Sequence, residues 1–349
     1  MTLARFTQPL AAALFLVSLC AAPAAAQPGK YDSYFVFGDS LADNGNVWLT
    51  SKVLAKVNPA LAPAPPPSET PHATYWNGRF SNGPVFVEQL WSQVRHKGAP
   101  KTLLPYISSP VIKGKAAVNF AFGGTGTPLL DQTPGGLQAP GLLGQVELFR
   151  VSLLGKKPSA SALYLIATGA NDYRIDPYNT PMAPEKVVAN IALAVQRLYA
   201  IGARHIVVMT LPDLGCIPSE NLPVPQAHCT APASNDPTSA TPPSQLTAYH
   251  NMLLAQALAN LKLSGATLRL VDLNEKFAEL RNTAPGSWFY PALVANGTPE
   301  LASCLFTAPA TCRDVDFAVG NGFLFWDVVH PTSDGHAALA QFTASKLGK

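Results

Sequence analysis

Short apolar segments that alternate with longer helical patterns constrain the fold of this chain most strongly. The apolar segments are YFVF (34–37), AAVNFAF (116–122), ALYLIAT (162–168), HIVVMT (205–210) and TLRLVDL (267–273). Helical patterns cover 183–202, 243–263 and 332–347. Strands that are apolar along their length are buried on both faces, and helices between them favour parallel pairing. The sequence therefore predicts a flavodoxin-like three-layer α/β/α fold with a mostly parallel central sheet.

The first 26 residues have the pattern of a secretory signal peptide. Arg5 supplies a positive charge, LAAALFLVSL is an apolar stretch, and AAPAAA ends in small residues. Lipidation at Cys20 is less favoured, because Leu19 is bulky for the position before a lipidated cysteine. We therefore expect cleavage after Ala26, release to the periplasm or the extracellular medium, and a single domain over residues 27–349.

Composition excludes some partners. The chain has 24 basic and 21 acidic residues, and it contains no basic cluster typical of nucleic-acid binding. No segment after the signal reaches the ~20 apolar residues of a membrane span. Two proline-rich segments, 58–72 and 231–244, are predicted to be surface loops, because proline removes a backbone donor. A monomer that binds no nucleic acid and has no transmembrane segment is expected.

Cleavage of the signal leaves four cysteines. An even number in an exported chain indicates disulfides, and four cysteines allow three pairings. Sequence neighbours favour Cys216 with Cys229 and Cys304 with Cys312. A zinc site is disfavoured, because the chain has neither a CxxC motif nor a suitably spaced histidine pair. No metal is therefore predicted.

Ser40 follows the first predicted strand through Gly38. Ligands of parallel α/β sheets bind beyond the carboxyl ends of the strands, so Ser40 is well placed to be a nucleophile. Serine is also a favoured helix N-cap, and the surrounding residues do not match the G-x-S-x-G elbow of the α/β-hydrolases. Taken alone, the GDS triplet leaves both interpretations open.

A nucleophilic serine needs a base and a group that orients the base. In FLFWDVVHPTSDGH (323–336), Asp327 precedes His330 by three residues, a spacing that lets a carboxylate reach the ring of the same loop. Asp334 and His336 fall at the start of the last helix and are interpreted as structural. The other histidines lie in positions with simple structural explanations: His72, His96, His205, His228 and His250.

Acyl transfer also needs donors for the developing oxyanion. The segment NFAFGGTGT (119–127) ends a strand in glycines, whose backbone N–H groups can approach a ligand closely. The segment IATGANDY (166–173) ends another strand and offers the Asn171 amide. Each signal is weak alone, but all of them lie at carboxyl ends of predicted strands or in the last loop.

Together these segments resemble the GDSL lipases and esterases of the SGNH hydrolase superfamily. The matching segments are FVFGDSLADNGN, NGRFSNGPVFVEQL, NFAFGGTGT, LYLIATGANDYR, LPDLGCIP and FWDVVHPT, in family order. They are most similar to the branch shared by plant secreted and bacterial exported enzymes. The resemblance implies that Ser40 is the nucleophile, His330 the base and Asp327 its orienting group.

The resemblance also implies an oxyanion hole made of the Ser40 N–H, the Gly123 N–H and the Asn171 side chain. Gly124 is the alternative to Gly123, because the two glycines are adjacent. The expected activity is hydrolysis of carboxylic esters through an acyl-enzyme, without a cofactor. Alternatives are a glycan O-acetylesterase or an acyltransferase with the same fold, and a catalytically silent carbohydrate- or lipid-binding module.

Overall fold

A six-stranded parallel sheet forms the centre of the protein. The computed structural model describes residues 30–58, 66–69, 74–133, 136–175, 180–221, 242–283 and 322–348. The sheet contains β1 (Ser33–Gly38), β2 (Leu104–Pro105), β3 (Ala117–Asn119), β6 (Ala162–Ala167), β7 (His205–Met209) and β8 (Thr267–Val271). A separate antiparallel hairpin is formed by β4 (Leu130–Gln132) and β5 (Gln138–Pro140).

The strand order in the sheet is β2-β3-β1-β6-β7-β8, and every neighbouring pair is parallel. Without the short edge strand β2, this is the flavodoxin-like order, in which the chain reverses direction across the sheet beside β1. The predicted fold class is confirmed. Ligand sites in such sheets lie beyond the carboxyl ends of the strands, where β1 reaches Ser40.

Eight helices of the described residues pack around the sheet. They are α1 (Asn46–Val57), α2 (Phe86–Val94), α3 (Leu142–Ser152), α4 (Pro184–Ile201), α5 (Pro218–Asn221), α6 (Pro242–Ala259), α7 (Leu273–Thr283) and α8 (Ser333–Gly348). The three helices predicted from the sequence correspond to α4, α6 and α8, with ends that differ by a few residues. Gly202 ends α4 at a positive φ of 124°, which explains why glycine stands there.

The side-chain alternation of β1 shows why both faces of the sheet are buried. Tyr34 and Val36 join one hydrophobic cluster, which also contains Trp91 of α2. Phe35 and Phe37 point the other way, into a second cluster with Phe149 of α3. Because all four side chains are almost fully buried, the strand has no polar face and is apolar throughout.

Two local predictions differ from the structure. The predicted strand 116–122 is regular only over Ala117–Asn119, because the Asn119 side chain accepts a hydrogen bond from the Ala121 N–H at 2.9 Å. Ser40 does not begin a helix: it lies in a turn, and α1 starts at Asn46. The N-cap interpretation of Ser40 is therefore wrong.

Several predictions fall wholly or largely outside the described residues. They concern the signal peptide, most of both proline-rich segments, and three of the four mature-chain cysteines. Cys216 is described, and its side chain is buried. The two predicted pairings stay predictions. In the described part of the chain, no helix is both long and apolar enough to cross a membrane.

Candidate active site

Ser40 lies at the carboxyl end of β1, in a turn that is held from two sides. The Asp39 carboxylate accepts a hydrogen bond from the Leu41 N–H at 3.1 Å and so orders the turn. Behind it, Gln145 of α3 is paired with both backbone groups of Gly38, at 2.8 Å and 2.9 Å. These contacts place the Ser40 side chain, which is 9% exposed, at the edge of a cavity.

The structure brings Ser40, His330 and Asp327 into one chain of hydrogen bonds. Ser40 Oγ lies 2.9 Å from His330 Nε2, and His330 Nδ1 lies 2.7 Å from Asp327 Oδ2. Because an ionised carboxylate only accepts, Nδ1 carries a proton and Nε2 is left to accept from the serine hydroxyl. This tautomer is the one that a general base for serine requires.

Asp327 is buried and has hydrogen bonds at both oxygens. Its Oδ1 accepts from the N–H groups of Val329 and His330, at 2.8 Å and 2.7 Å. The Tyr75 hydroxyl donates to Oδ2 at 2.7 Å. Burial alone would raise the pKa of Asp327, but the His330 charge and these hydrogen bonds outweigh it and hold the pKa below its ordinary value. The carboxylate is therefore kept ionised beside the imidazole.

The loop 74–83 fastens the segment that carries His330. The Phe80 ring lies against the His330 ring, with 5.2 Å between centroids. The Ser81 hydroxyl donates to the Pro331 carbonyl at 2.9 Å, and Asn82 accepts from the Ser333 N–H at 2.8 Å. The loop thus fixes both the ring and the backbone on either side of Pro331.

The glycine loop after β3 does not present the donor that the sequence indicated. The Gly123 N–H donates to Asp43 Oδ2 at 2.9 Å, which occupies it. The Phe80 ring packs so closely against the Gly123 Cα that a Cβ would overlap it. Gly124 follows with a positive φ of 77° and lines the cavity. The geometry therefore favours the alternative, Gly124.

Asn171 lines the same cavity and contacts the glycine loop directly. Its amide donates to the Thr125 carbonyl at 3.2 Å. Arg174 donates both to Asn171 Oδ1, at 3.1 Å, and to the Gly124 carbonyl, at 2.9 Å. The guanidinium therefore sets the spacing between Gly124 and Asn171.

Three buried carboxyl groups surround these elements. Burial raises the pKa of Asp39 to about 7 and that of Asp43 and Asp172 to about 6. Hydrogen bonds oppose the effect of burial in each case: Asp172, for example, accepts from both the N–H and the hydroxyl of Thr127. Asp43 and Asp172 thereby hold the two ends of the glycine loop.

A cavity of about 770 Å³ opens beside Ser40. Its polar end contains Ser40, Gly124, Asn171 and His330. The rest of the wall is mainly apolar and includes Val47, Phe80, Leu214, Ile217, Leu246 and Val329. The volume is within the range of about 300–1,000 Å³ that is usual for small-molecule sites.

No metal-ligating cluster is found where the chain is described: no three His, Cys, Asp or Glu side chains lie close enough to hold an ion. The residues that line the polar end instead supply a nucleophile, a base and hydrogen-bond donors. This set is suited to attack on a carbonyl carbon. The predicted absence of a metal or cofactor stays a prediction.

Sequence reasoning missed Asp43, Tyr75, Gln145 and Arg174. Asp43 carried a usable signal, because it lies three residues before α1 and aspartate is common at helix starts. Tyr75 gave none, since it contacts a carboxylate 252 positions further along the chain. Arg79 of the loop 74–83 forms an ion pair with Glu88 of α2 at 2.5 Å, which ties the loop to that helix.

Comparisons with known proteins identify the family of this chain. A phosphatidylcholine-sterol acyltransferase of Aeromonas hydrophila is 27% identical over 95% of this chain and 94% of its own. A GDSL esterase/lipase of Arabidopsis thaliana is 30% identical over 88% and 86%. A solved acetyl xylan esterase superposes with a TM-score of 0.40 at 11% identity, over 90% of this chain and all of its own. The family model described as GDSL-like lipase/acylhydrolase matches residues 34–342, and this chain belongs to that family.

Proposed function

We propose that this protein is a serine esterase or lipase that hydrolyses carboxylic esters through an acyl-enzyme intermediate. The observation that carries the proposal is the unbroken chain from Ser40 through His330 to Asp327 at the wall of a large cavity. Membership of the GDSL-like family supports it.

In the first half of the reaction, Ser40 Oγ attacks the ester carbonyl carbon while His330 Nε2 takes the hydroxyl proton. The carbonyl electron pair moves to the oxygen, and the N–H groups of Ser40 and Gly124 and the Asn171 amide stabilise that oxyanion. The intermediate then expels the alkoxide, which takes the proton from His330 and leaves as an alcohol. The acyl group remains on Ser40.

In the second half, water attacks the acyl carbon and gives a proton to His330. Collapse of this second intermediate returns the proton to Ser40 Oγ and releases the carboxylic acid. Asp327 stays ionised throughout and stabilises the imidazolium in both halves. We assign the second backbone donor to Gly124, because the Gly123 N–H is occupied by Asp43.

The apolar wall of the cavity points to the substrate class. Val47, Leu214, Ile217 and Leu246 offer no hydrogen-bonding side chains, so a chain of methylene groups gains more there than a sugar does. We therefore propose esters with an apolar chain as substrates, in preference to acetylated glycans.

A second candidate is transfer of the acyl group to an alcohol instead of water. The similarity to the Aeromonas hydrophila acyltransferase over nearly the whole chain favours it. The first half of the mechanism would be unchanged, and the acceptor alcohol would take the place of water in the second half. The two candidates differ only in which molecule reaches the acyl-enzyme.

An acyl-chain series of p-nitrophenyl esters tests the proposed function. Wild type should release p-nitrophenolate, faster for chains longer than acetyl, and Ser40→Ala should lose ~10⁴–10⁶ of the rate. No hydrolysis by wild type, or undiminished hydrolysis by the variant, would refute the serine-esterase assignment. A preference for acetylated glycans, assayed in parallel, would support the O-acetylesterase alternative.

Adding an aliphatic alcohol to the same assay separates hydrolysis from transfer. An acyltransferase forms the new ester, detected by mass spectrometry, in place of the free acid. A hydrolase yields the free acid regardless of the added alcohol. Ser40→Ala should form neither product.

We also propose that the protein is exported after removal of residues 1–26 and contains the two predicted disulfides. Cys216, which is buried and disulfide-bonded, supports the second point. Thiol counting on the denatured, non-reduced mature protein should find no free cysteine. Four reactive thiols would contradict the disulfides, and an uncleaved N-terminus on protein from the natural host would contradict export.

A further inference from the structure

A buried tyrosine shares an oxygen of Asp327 with His330. The Tyr75 hydroxyl and the His330 Nδ1 each lie 2.7 Å from Asp327 Oδ2. The other carboxylate oxygen is taken up by two backbone N–H groups. Negative charge on Oδ2 is therefore divided between a phenol and an imidazole.

Tyr75 is held in place independently of this hydrogen bond. Its backbone N–H donates to the Pro67 carbonyl at 2.8 Å, and its ring meets Trp326 edge-on, with 6.4 Å between centroids. Burial, together with the Asp327 charge, raises the pKa of the hydroxyl well above its usual value. The hydroxyl thus stays protonated and remains a donor to the carboxylate.

Few other charges lie near His330. The turn after β1 contributes Asp39, and α8 contributes His336. Phe80 of the loop 74–83 meets the His330 ring with an apolar face. Arg174 and Glu220 line the same cavity. None of these groups is hydrogen-bonded to the His330 side chain. Within the described residues its hydrogen bonds are to Asp327 and Ser40, so a change at Asp327 acts directly on the base.

We propose that Tyr75 is a positioning residue that acts through Asp327: its hydroxyl orients the carboxylate toward His330 and moderates the attraction of Asp327 for the imidazolium. This inference rests on the proposed serine-esterase function. A hydrogen bond to an anion disperses its charge, so a carboxylate that also accepts from a phenol stabilises an adjacent cation less. His330 then gives up its proton to the leaving group more readily than it would beside an otherwise unpaired Oδ2.

Tyr75→Phe tests the proposal, because it removes the hydroxyl and keeps the ring that packs on Trp326. Without the phenol, Asp327 should hold the imidazolium more tightly. The acid limb of the pH profile of kcat/KM, which requires neutral His330, should move to higher pH. The expected shift is roughly half a unit to one unit, since a hydrogen bond to a charged group is equivalent to about one unit of proton affinity.

Tyr249→Phe is the matched control. The Tyr249 hydroxyl also donates to a carboxylate, that of Glu185, but this pair lies at the exposed surface between α4 and α6. Its loss should leave the pH profile unchanged. A Tyr75→Phe profile that coincides with wild type, or activity that falls with no shift of the acid limb, would overturn the proposal and leave Tyr75 as a packing residue.

Two further measurements keep the test independent of activity and of folding. The pH midpoint of the His330 ring proton, followed by NMR without substrate, should rise in Tyr75→Phe even if the enzyme hydrolyses none of the esters. Site-specific 3-fluorotyrosine at position 75 preserves the shape and makes the phenol a stronger donor, so the same midpoint should fall. Unchanged midpoints in both proteins contradict the proposal, whatever the esterase assay shows.

Discussion

At the scale of single residues, the Ser40–His330–Asp327 chain is held by a local turn and by contacts from the distant loop 74–83. Asp327 and His330 are three positions apart, so their pairing follows from a local turn. The choice between Gly123 and Gly124 could not be made locally, because it depends on Asp43, 80 positions away. The contact of Tyr75 with Asp327 could not be predicted either, because the two residues are 252 positions apart.

Asn171→Ala tests the assignment of the oxyanion hole. Removing one donor from such a site costs ~10²–10³ in kcat, because the interaction is strongest in the transition state. We expect that loss with little change in KM, measured on the best p-nitrophenyl ester. Asn260→Ala, at an exposed position just after α6, is the control and should match wild type. A rise in KM with kcat unchanged would show that Asn171 binds substrate rather than the oxyanion.

At the scale of elements, hydrophobic patterning predicted the central strands well, because strands buried on both faces have no polar positions. The pattern was less informative where side chains replace regular pairing. Residues 120–122 still bond to β1, through the Phe120 and Phe122 N–H groups, but Asn119 has already interrupted the strand. Helix α1 begins later than expected, because Asp43, and not Ser40, supplies the acceptors for its first turn.

Asp43→Ala should destabilise the protein more than loss of an ordinary helix cap. Asp43 is fully buried and accepts hydrogen bonds from the N–H groups of Gly45, Asn46, Val47 and Gly123. Alanine would leave the buried Gly123 N–H and the N–H groups at the start of α1 without their acceptor. We expect this to lower the free energy of unfolding by roughly 2–4 kcal/mol. Urea denaturation at pH 7.5 measures it.

Asp272→Ala is the matched control for that experiment. Asp272 is exposed and accepts from the Asn274 and Glu275 N–H groups at the start of α7. Its loss should cost about 1 kcal/mol, as for a typical cap. Equal decreases in the free energy of unfolding for the two variants would contradict a special role of Asp43. A loss of activity in Asp43→Ala, but not in Asp272→Ala, would support the view that Asp43 positions the glycine loop.

At the scale of the whole molecule, the parallel sheet assembles the site from distant parts of the chain. Ser40 and His330 are 290 positions apart, yet their side chains meet, because the loop before α8 brings His330 to the carboxyl end of β1. The topology that does this was predictable from the order of apolar segments. The packing of α8 against α2, which buries His336 against Phe86, could not be predicted from that order.

Stability toward acid should depend on His336. Its ring nitrogens have no hydrogen-bond partner among the described residues, and burial lowers its pKa to about 3. Below pH ~6.5, His336 is protonated in the unfolded chain but stays neutral in the folded protein. The free energy of unfolding therefore falls as the pH drops from there toward 3. At pH 5 this costs the wild type about 2 kcal/mol relative to pH 8.

His336→Leu removes that titration. The stability difference between variant and wild type, from urea denaturation, should move in favour of the variant by about 2 kcal/mol between pH 8 and pH 5. The contributions of Asp39, Asp43 and Asp172 are common to both proteins and cancel in the difference. A difference that stays constant with pH would show that His336 does not titrate as its burial implies.

Covalent labelling with a p-nitrophenyl alkylphosphonate identifies the nucleophile, which we expect to be Ser40. The reagent should release one p-nitrophenolate per protein molecule, and the added mass should map to the peptide that contains Ser40. Ser40→Ala should remain unlabelled. Labelling of a different serine, or hydrolytic activity that survives complete modification of Ser40, would show that Ser40 is not the nucleophile.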